Sequence, residues 1–263
     1  MRVLRNLLFC EVKKFKRKKI FSFALLAAFV FPILGSALIA GRPSADFADM
    51  SSFAREGSGF LLLMPLLIIL AANLFFSEQD NDTLKNLLCI PVPKNRLVFV
   101  KLFVLVIFSV VFQIVGFAIS TAMSVFYHIS LTDFSLQFAL TVATGILLWA
   151  AALPCIVLVI CFNKSYILSV IIVFFYTLAN YIMHFSDAIL MQPLGFNVGT
   201  LMPIPMIFRW LYQFYTPTGE IQTAFYNRFS LYFVSTPACF AVLLIEAAVC
   251  TLLIIRIYRR REI

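Results

Sequence analysis

Few side chains in this 263-residue chain could carry out chemistry, and those few stand apart from one another. The two histidines, His128 and His184, are separated by a long apolar stretch, and no HExxH or GxSxG sequence is present. The chain also lacks a nucleotide-binding loop of the form GxxxxGKS or GxxxxGKT. Its six cysteines form no CxxC pair and show no metal-ligand spacing. These residues predict neither an enzyme nor a metal site.

One carboxylate, that of Glu246, lies in the middle of an apolar run. An ionisable group in mid-span costs roughly 2.5–3.5 kcal/mol on insertion scales, so it normally faces a partner or an aqueous cavity. Glu246 could line a translocation path or a subunit seam, near Asn180 or Tyr181. It could equally be hydrogen-bonded within a helix bundle and have only a structural role. As a lone acid, it could also serve a proton-coupled secondary transporter.

The composition of the chain predicts that the elements that position these residues cross a bilayer. The chain is 62% apolar and 13% charged, whereas soluble chains are about 45–50% apolar and about 25% charged. Hydrocarbon penalises polar side chains and offers backbone groups no water partners. Thirty phenylalanines, with few glycines and prolines, favour helices over the alternating strands of a barrel. The sequence predicts an all-α polytopic membrane protein with a single domain over residues 1–263.

Six apolar runs, uncharged except for Glu246, are long enough to cross ~30 Å of hydrocarbon, which takes about 20 residues. The predicted spans are about 20–41, 57–77, 102–127, 136–162, 166–183 and 233–255. A polar loop, 42–56, separates the first two. Between spans five and six lie residues 184–232, in which the uncharged run 188–208 is interrupted by prolines. We predict that this outer segment is re-entrant, which is tolerated only where protein or water covers its backbone.

The charge distribution orients the six spans. Both termini then lie on one side, and the basic clusters at the two ends of the chain share the cytoplasm, as the positive-inside rule requires. Of the 21 lysines and arginines, only Arg42, Arg55, Arg209 and Arg228 fall on the outer side. The net charge of +9 therefore reflects membrane topology and does not predict a nucleic-acid partner.

Residues 1–19 and 77–101 are the two polar stretches on the cytoplasmic side. The first carries basic residues with Leu4, Leu7, Leu8 and Glu11 at helical spacing, which predicts an amphipathic helix on the inner leaflet. A solvated basic leader that only sets topology is compatible with the same pattern.

The second stretch, 77–101, has a defined order of acids, an apolar stripe, a proline stop and cations. These are Glu78, Asp80 and Asp82; Thr83, Leu84, Leu87 and Leu88; Pro91 and Pro93; and Lys94, Arg96 and Lys101. The acids at the beginning of the predicted helix and the cations after its end both interact favourably with the helix macrodipole. A helix resting on lipid gives no reason for three carboxylates beside an anionic leaflet. Docking of Leu87 and Leu88 into a groove of another protein explains both the apolar stripe and the three carboxylates.

This second stretch resembles the signature of type-2 ABC exporter permeases, which runs ExExGTLxxLLxxPVSR or PISR. The residues that carry the resemblance are Glu78, Asp80, Thr83, Leu84, Leu87, Leu88, Pro91 and Val92. The chain departs from the pattern with Asp80 for Glu, Asp82 for Gly and Pro93 for Ser. The block KNLL at 85–88 is similar to small permeases that confer lantibiotic immunity or bacitracin resistance.

The resemblance implies a cytoplasmic coupling helix that docks on a separate ATPase subunit, which would bind ATP and Mg, with no cofactor on this chain. The coupling residues that it implies are Glu78, Asp80, Asp82, Thr83, Leu84, Leu87, Leu88 and Pro91, with Glu11, Lys14 and Arg17 of the surface helix. Two such permeases, identical or sister, would pair with two ATPases in a bacterial plasma membrane. The cargo would be an antimicrobial peptide or a lipid-like amphiphile.

Two other classes of function stay open from the residues alone. A proton-coupled secondary transporter would use Glu246, with Asn180 and Tyr181 as candidates for the same path. A membrane-anchored sensor or scaffold would need no transport path at all.

Overall fold

A computed structural model describes residues 7–13, 19–42, 45–80, 94–162, 166–217 and 219–260. Every regular element in these ranges is helical, which confirms the predicted all-α class. The first elements are α1 (7–13), α2 (Lys19–Leu26), α3 (Val30–Ala40), α4 (Phe47–Glu56), a π-helix (Gly57–Leu63) and α5 (Met64–Asp80). Then come α6 (Lys94–Phe126), α7 (Phe134–Cys161), α8 (Tyr166–Met183), α9 (Asp187–Leu190), α10 (Pro203–Leu211), α11 (Glu220–Phe229) and α12 (Thr236–Arg260).

Within the described ranges, five helical stretches are long and apolar enough to cross a membrane. They are Phe21–Ala40, Phe47–Phe76, Asn95–Phe126, Phe134–Cys161 and Thr236–Arg259. A shorter apolar helix, Leu168–Met183, coincides with the predicted fifth span. The chain is thus a multi-pass membrane protein with five candidate spans, and a sixth crossing by α8 stays a prediction.

The second span begins earlier than the sequence pattern predicted, because most of the expected polar loop 42–56 is the helix α4. Phe47 N donates a hydrogen bond to Asp46 Oδ1 (2.6 Å), so Asp46 caps the helix. One face of α4, including Phe47, Met50 and Ala54, is buried. These apolar residues recur at helical spacing, but the charged residues between them had suggested a loop.

Helix α7 is the centre of the bundle and packs against α4, α5, α6, α8, α10 and α12. Small side chains allow these close contacts: three consecutive alanines, 150–152, are fully buried. At Gly145 a Cβ atom would lie 3.0 Å from Val110 Cα of α6. Ser109 Oγ donates a hydrogen bond to the Gly145 carbonyl oxygen (2.6 Å), which joins the two helices at their closest approach.

The contacts at the two ends of the bundle fit an antiparallel path. At one end, Arg259 Nε donates to Asn95 Oδ1 (2.7 Å), so the end of α12 meets the beginning of α6. The rings of Phe75 and Tyr258 lie 5.9 Å apart at the same end. At the other end, Thr132 Oγ1 donates to Asp46 Oδ1 (2.6 Å). The last part of α5 and the beginning of α6 therefore lie at the end of the bundle where α12 finishes. The chain between them, 81–93, lies outside the described residues, and the side of the membrane that this end faces stays a prediction.

The segment predicted to be re-entrant contains short helices, with α10 packed against α7, α8 and α12. Most α10 side chains are buried, including that of Arg209. Arg209 Nη2 donates to the carbonyl oxygens of Ile189 and Gln192, the latter at 2.9 Å. Protein thus covers much of α10, and the depth of this segment in a membrane stays a prediction.

We expect Gly145→Val to destabilise the bundle, because its side chain would meet the α6 backbone at Val110. Overpacking of this kind costs about 1–3 kcal/mol. Thermal unfolding of the detergent-solubilised chain, followed by far-ultraviolet circular dichroism, measures the effect as a lowered midpoint. The matched control is Gly41→Val, since a Cβ at Gly41 meets nothing within 4 Å. Equal midpoints for the two variants would show that the α6–α7 contact tolerates separation.

Candidate functional site

Most of the predicted coupling residues lie outside the described residues. These are Asp82, Thr83, Leu84, Leu87, Leu88 and Pro91, together with Lys14 and Arg17 of the N-terminal segment. Glu78 and Asp80 belong to the last turn of α5. Glu11 is buried, so α1 turns its one acidic residue toward the protein. The coupling role of all these residues stays a prediction.

The sequence predicts that Lys101 ends a polar cytoplasmic segment, but in the structure Lys101 lies within a helix. Helix α6 already begins at Lys94, and the Lys101 side chain is completely buried (0% exposed). Its Nζ donates to the carbonyl oxygen of Leu74 and lies 5.2 Å from the centroid of the Phe75 ring. A buried ammonium group needs such partners. Lys101 therefore fastens α6 to α5 just before the connection 81–93.

A second buried cation, Arg55, lies near the opposite end of the bundle. It was predicted to be an outer-loop residue, but it is 5% exposed and belongs to α4. Its Nη1 donates to Gln137 Oε1 of α7 (3.0 Å), and Ser51 Oγ donates to the same oxygen (3.0 Å). Gln113 Nε2 of α6 donates to the Arg55 carbonyl oxygen (3.4 Å). This network joins α4, α6 and α7.

Glu56, the next residue, faces a cavity of 230 Å³ between α3, α4, α8 and α10. The cavity is lined by Phe31, Phe53, Glu56, Gly57, Phe60, Tyr181, His184, Phe185 and Phe208. The α-helix changes to a π-helix at Gly57, directly after Glu56. Gly57 is required by close packing, since a Cβ there would lie 2.5 Å from the Phe31 ring. Single-turn π segments in α-helices are frequent at functional sites.

His184 stands among the aromatic rings of this cavity. Its ring centroid lies 3.8 Å from that of Phe185, 5.4 Å from that of Phe208 and 5.5 Å from that of Phe60. Its Nδ1 donates a hydrogen bond to the carbonyl oxygen of Tyr181, which leaves Nε2 unprotonated in the neutral ring. Burial lowers the pKa of His184, so the ring is neutral at neutral pH.

The three residues predicted for a translocation path lie in two places. Tyr181 lines the cavity, and the adjacent Asn180 is fully buried. Asn180 Nδ2 donates to the Tyr176 carbonyl oxygen (3.1 Å), and Asn180 Oδ1 accepts from Ile204 N of α10 (3.5 Å). Glu246 of α12 is half-buried and lies within electrostatic range of Tyr176. Glu246 is not among the residues that line the cavity. Sequence reasoning missed Tyr176, which interacts with both Asn180 and Glu246.

Comparison with known proteins places the chain in a family. The family model described as ABC-2 family transporter protein matches residues 7–180, which is more than half of the 263 residues. The chain belongs to this family. It is accordingly the membrane permease component of an ABC exporter, and the family implies that the ATPase is a partner subunit. No match was found among curated proteins.

The family match includes the connection 81–93 and the cavity residues of α3, α4 and the π-helix. It ends at Asn180, so α10 and α12, with Glu246, lie beyond it. The resemblance to type-2 ABC permeases is thus confirmed. The narrower resemblance to lantibiotic-immunity and bacitracin-resistance permeases stays a prediction from the KNLL block.

Because burial lowers the pKa of His184, we expect the stability of the permease to fall on acidification. The unfolded chain binds a proton at His184 below its ordinary pKa of about 6.5, and the folded chain does not. The contribution of His184 to the free energy of unfolding is fully present above that pH, and it is lost as the pH falls below it. Thermal midpoints measured between neutral and mildly acidic pH should decline less steeply in His184→Gln than in the parent chain.

If His184→Gln has the same pH dependence as the parent chain, the buried imidazole does not titrate in the way that its surroundings predict.

Proposed function

We propose that this chain is the permease subunit of an ATP-driven exporter that removes an antimicrobial peptide, of lantibiotic or bacitracin type, or a lipid-like amphiphile from the membrane. Two six-span permeases, identical or sister, pair with two ATPase subunits in a bacterial plasma membrane. ATP and Mg bind to the ATPases, and this chain holds no cofactor. Both termini and the connection 81–93 face the cytoplasm.

The observation that carries this proposal is the ABC-2 family match, which includes residues 81–93. The helices that precede and follow these residues, α5 and α6, are joined by the buried Lys101. A push on the connection by an ATPase would move both helices, since the buried lysine resists their separation. The charged and apolar pattern of 81–93 supports docking into a groove of a separate protein.

The movement of α5 and α6 would reach the cavity through the same two helices. Helix α5 is continuous with the π-helix and α4, which carry Phe60 and Glu56. Helix α6 reaches the same region through Gln113, which donates to the carbonyl oxygen of Arg55. Packed helices transmit displacement because their interiors are dense and resist compression. ATP-driven closure could in this way alter the cavity and open a path between two permeases.

The nature of the cargo is supported by two features. The KNLL block resembles permeases that act on lantibiotics or bacitracin. In the structure, the cavity presents phenylalanine rings on most sides and one carboxylate, a surface suited to a molecule with apolar and polar parts.

The double substitution Leu87→Arg plus Leu88→Arg tests the coupling helix. A guanidinium group placed in an apolar groove without a partner costs several kcal/mol, so co-purification with the ATPase should fall by more than about tenfold. The measurement is the amount of ATPase retained by the affinity-tagged permease at equal permease yield, with cargo resistance of cells as a second measure.

The control for this substitution is Leu231→Arg, at an 82% exposed leucine of the opposite end of the bundle. It adds the same side chain without touching 81–93, and we expect normal ATPase retention. Retention and resistance that survive the double substitution would disprove the coupling role of Leu87 and Leu88.

A proton-coupled carrier is the second candidate, and the half-buried carboxylate of Glu246 beside Tyr176 is the observation that favours it. Under the exporter proposal, export by Glu246→Gln should persist, stop when the partner ATPase is inactivated, and continue in the presence of a protonophore. Loss of export in Glu246→Gln, together with sensitivity to the protonophore and indifference to the ATPase, would support the carrier instead. The assay is efflux of a labelled cargo from energised cells.

A further inference from the structure

We propose that the cavity beside the π-helix binds the cationic headgroup of an amphiphile, with Glu56 as the counter-charge. The inference deepens the proposed function, because it names the chemical class of the cargo and where its headgroup binds. Binding itself requires neither the ATPase nor transport, so the two proposals can fail separately.

The charge of the cavity favours a cationic ligand. Among the described residues that line it, Glu56 is the single acidic residue, and none is a lysine or an arginine. The adjacent cation, Arg55, is turned toward Gln137 of α7 and donates its hydrogen bond there. In the described part of the chain, the Glu56 carboxylate has no hydrogen-bond donor of its own. Glu56 is half-buried and interacts electrostatically with Arg55, but a cationic ligand in the cavity would give its carboxylate a direct partner on the cavity side.

The aromatic walls are the second step. Phe31, Phe53, Phe60 and Phe208 come from α3, α4, the π-helix and α10, and they surround the space that Glu56 faces. Aromatic ring faces attract cations, and alkylated ammonium groups are recognised by cages of such rings. His184 is neutral and adds no positive charge to the cavity. A carboxylate within aromatic walls favours an ammonium group over a neutral or anionic headgroup.

The size of the cavity is the third step. Its 230 Å³ falls below the roughly 300–1,000 Å³ of pockets that enclose whole ligands, so it can enclose a headgroup but not a long molecule. A second cavity of 320 Å³ lies along α5 and α8 and shares Phe60 with the first. Its other walls are almost entirely apolar, with Ile69, Val173 and Phe174 among them. The two cavities together match an amphiphile, with the headgroup at Glu56 and the alkyl chain along α8.

The mouth of the headgroup cavity offers a place to detect the ligand. Phe185 lines the cavity and is 66% exposed. Phe126, at the end of α6, is 72% exposed and lines neither cavity. A photo-crosslinking residue, p-benzoyl-phenylalanine, in place of Phe185 reports on the cavity. The same residue in place of Phe126 reports on ordinary contact with the surface.

The experiment uses the full chain in dodecylmaltoside micelles and radiolabelled dodecyltrimethylammonium as the probe. Labelling at position 185 should exceed that at position 126 and should fall roughly tenfold in Glu56→Gln, the factor expected from loss of about 1.4 kcal/mol of charge attraction. Radiolabelled dodecyl sulfate, which has the same alkyl chain and the opposite charge, should label both positions equally. Dodecylphosphocholine, which has a zwitterionic headgroup, should label position 185 less than the cationic probe does.

Matched variants separate binding from folding. Glu56→Asp keeps the charge and should retain most of the labelling, whereas Glu220→Gln removes an exposed acid elsewhere and should leave the labelling unchanged. If Glu56→Gln does not yield a monodisperse protein, the comparison of the cationic probe with dodecyl sulfate in the parent chain decides the matter. The proposal is overturned if Glu56→Gln labels as strongly as the parent, or if dodecyl sulfate or dodecylphosphocholine labels position 185 as strongly as the cationic probe.

The outcomes also distinguish this inference from the proposed function. Selective labelling in a chain that shows no ATP-dependent export would support the cavity and refute the exporter. Export that is unaffected by Glu56→Gln, without selective labelling at 185, would support the exporter and refute the cavity as its cargo site.

Discussion

The close contact between α6 and α7 is the constraint on which the rest of the bundle depends. Lipid offers no hydrophobic driving force between apolar helices, so close packing of backbones and interhelical hydrogen bonds must hold them together. Gly145 allows the two helices to approach, and Ser109 donates across the contact. With α6 in place, the buried alanines of α7 leave room for α5, α8, α10 and α12 to pack around it.

In the part of the chain that the structure describes, three buried cations join neighbouring elements. Lys101 joins α6 to α5, Arg55 joins α4 to α7, and Arg209 joins α10 to the residues after α9. Each donates to carbonyl or amide oxygens, and this offsets the cost of burying its charge. Lys101 joins the two helices that precede and follow residues 81–93, on which the ATPase is proposed to push, and Arg55 is adjacent to Glu56 of the cavity. Two of these buried cations are therefore close in sequence to the regions that we propose for ATPase coupling and for cargo binding.

The cavity itself depends on a change of helix type. Arg55 and Glu56 are adjacent, yet Arg55 faces Gln137 while Glu56 faces the aromatic cavity. The π-helix that starts at Gly57 follows directly, and it brings Phe60 to the wall shared by both cavities. An uninterrupted α-helix would place the residues beyond Glu56 in a different register. Because Arg55 donates its hydrogen bond to Gln137, the Glu56 carboxylate faces a cavity whose other walls are mostly aromatic.

The sequence by itself determined the helical membrane class, the family resemblance and the approximate position of most spans, because composition, apolar run length and the 78–92 motif are local properties. It mistook α4 for a loop and placed Lys101 at the end of the polar cytoplasmic stretch, since a charge in the sequence shows neither its burial nor its partner. Only the tertiary structure decided that Arg55 donates to Gln137 and that Tyr176 interacts with both Asn180 and Glu246. It also brought Phe31, Glu56, His184 and Phe208 into one cavity. Those residues come from elements far apart in the chain, and a pattern read along the sequence contains no information about contacts made by packing.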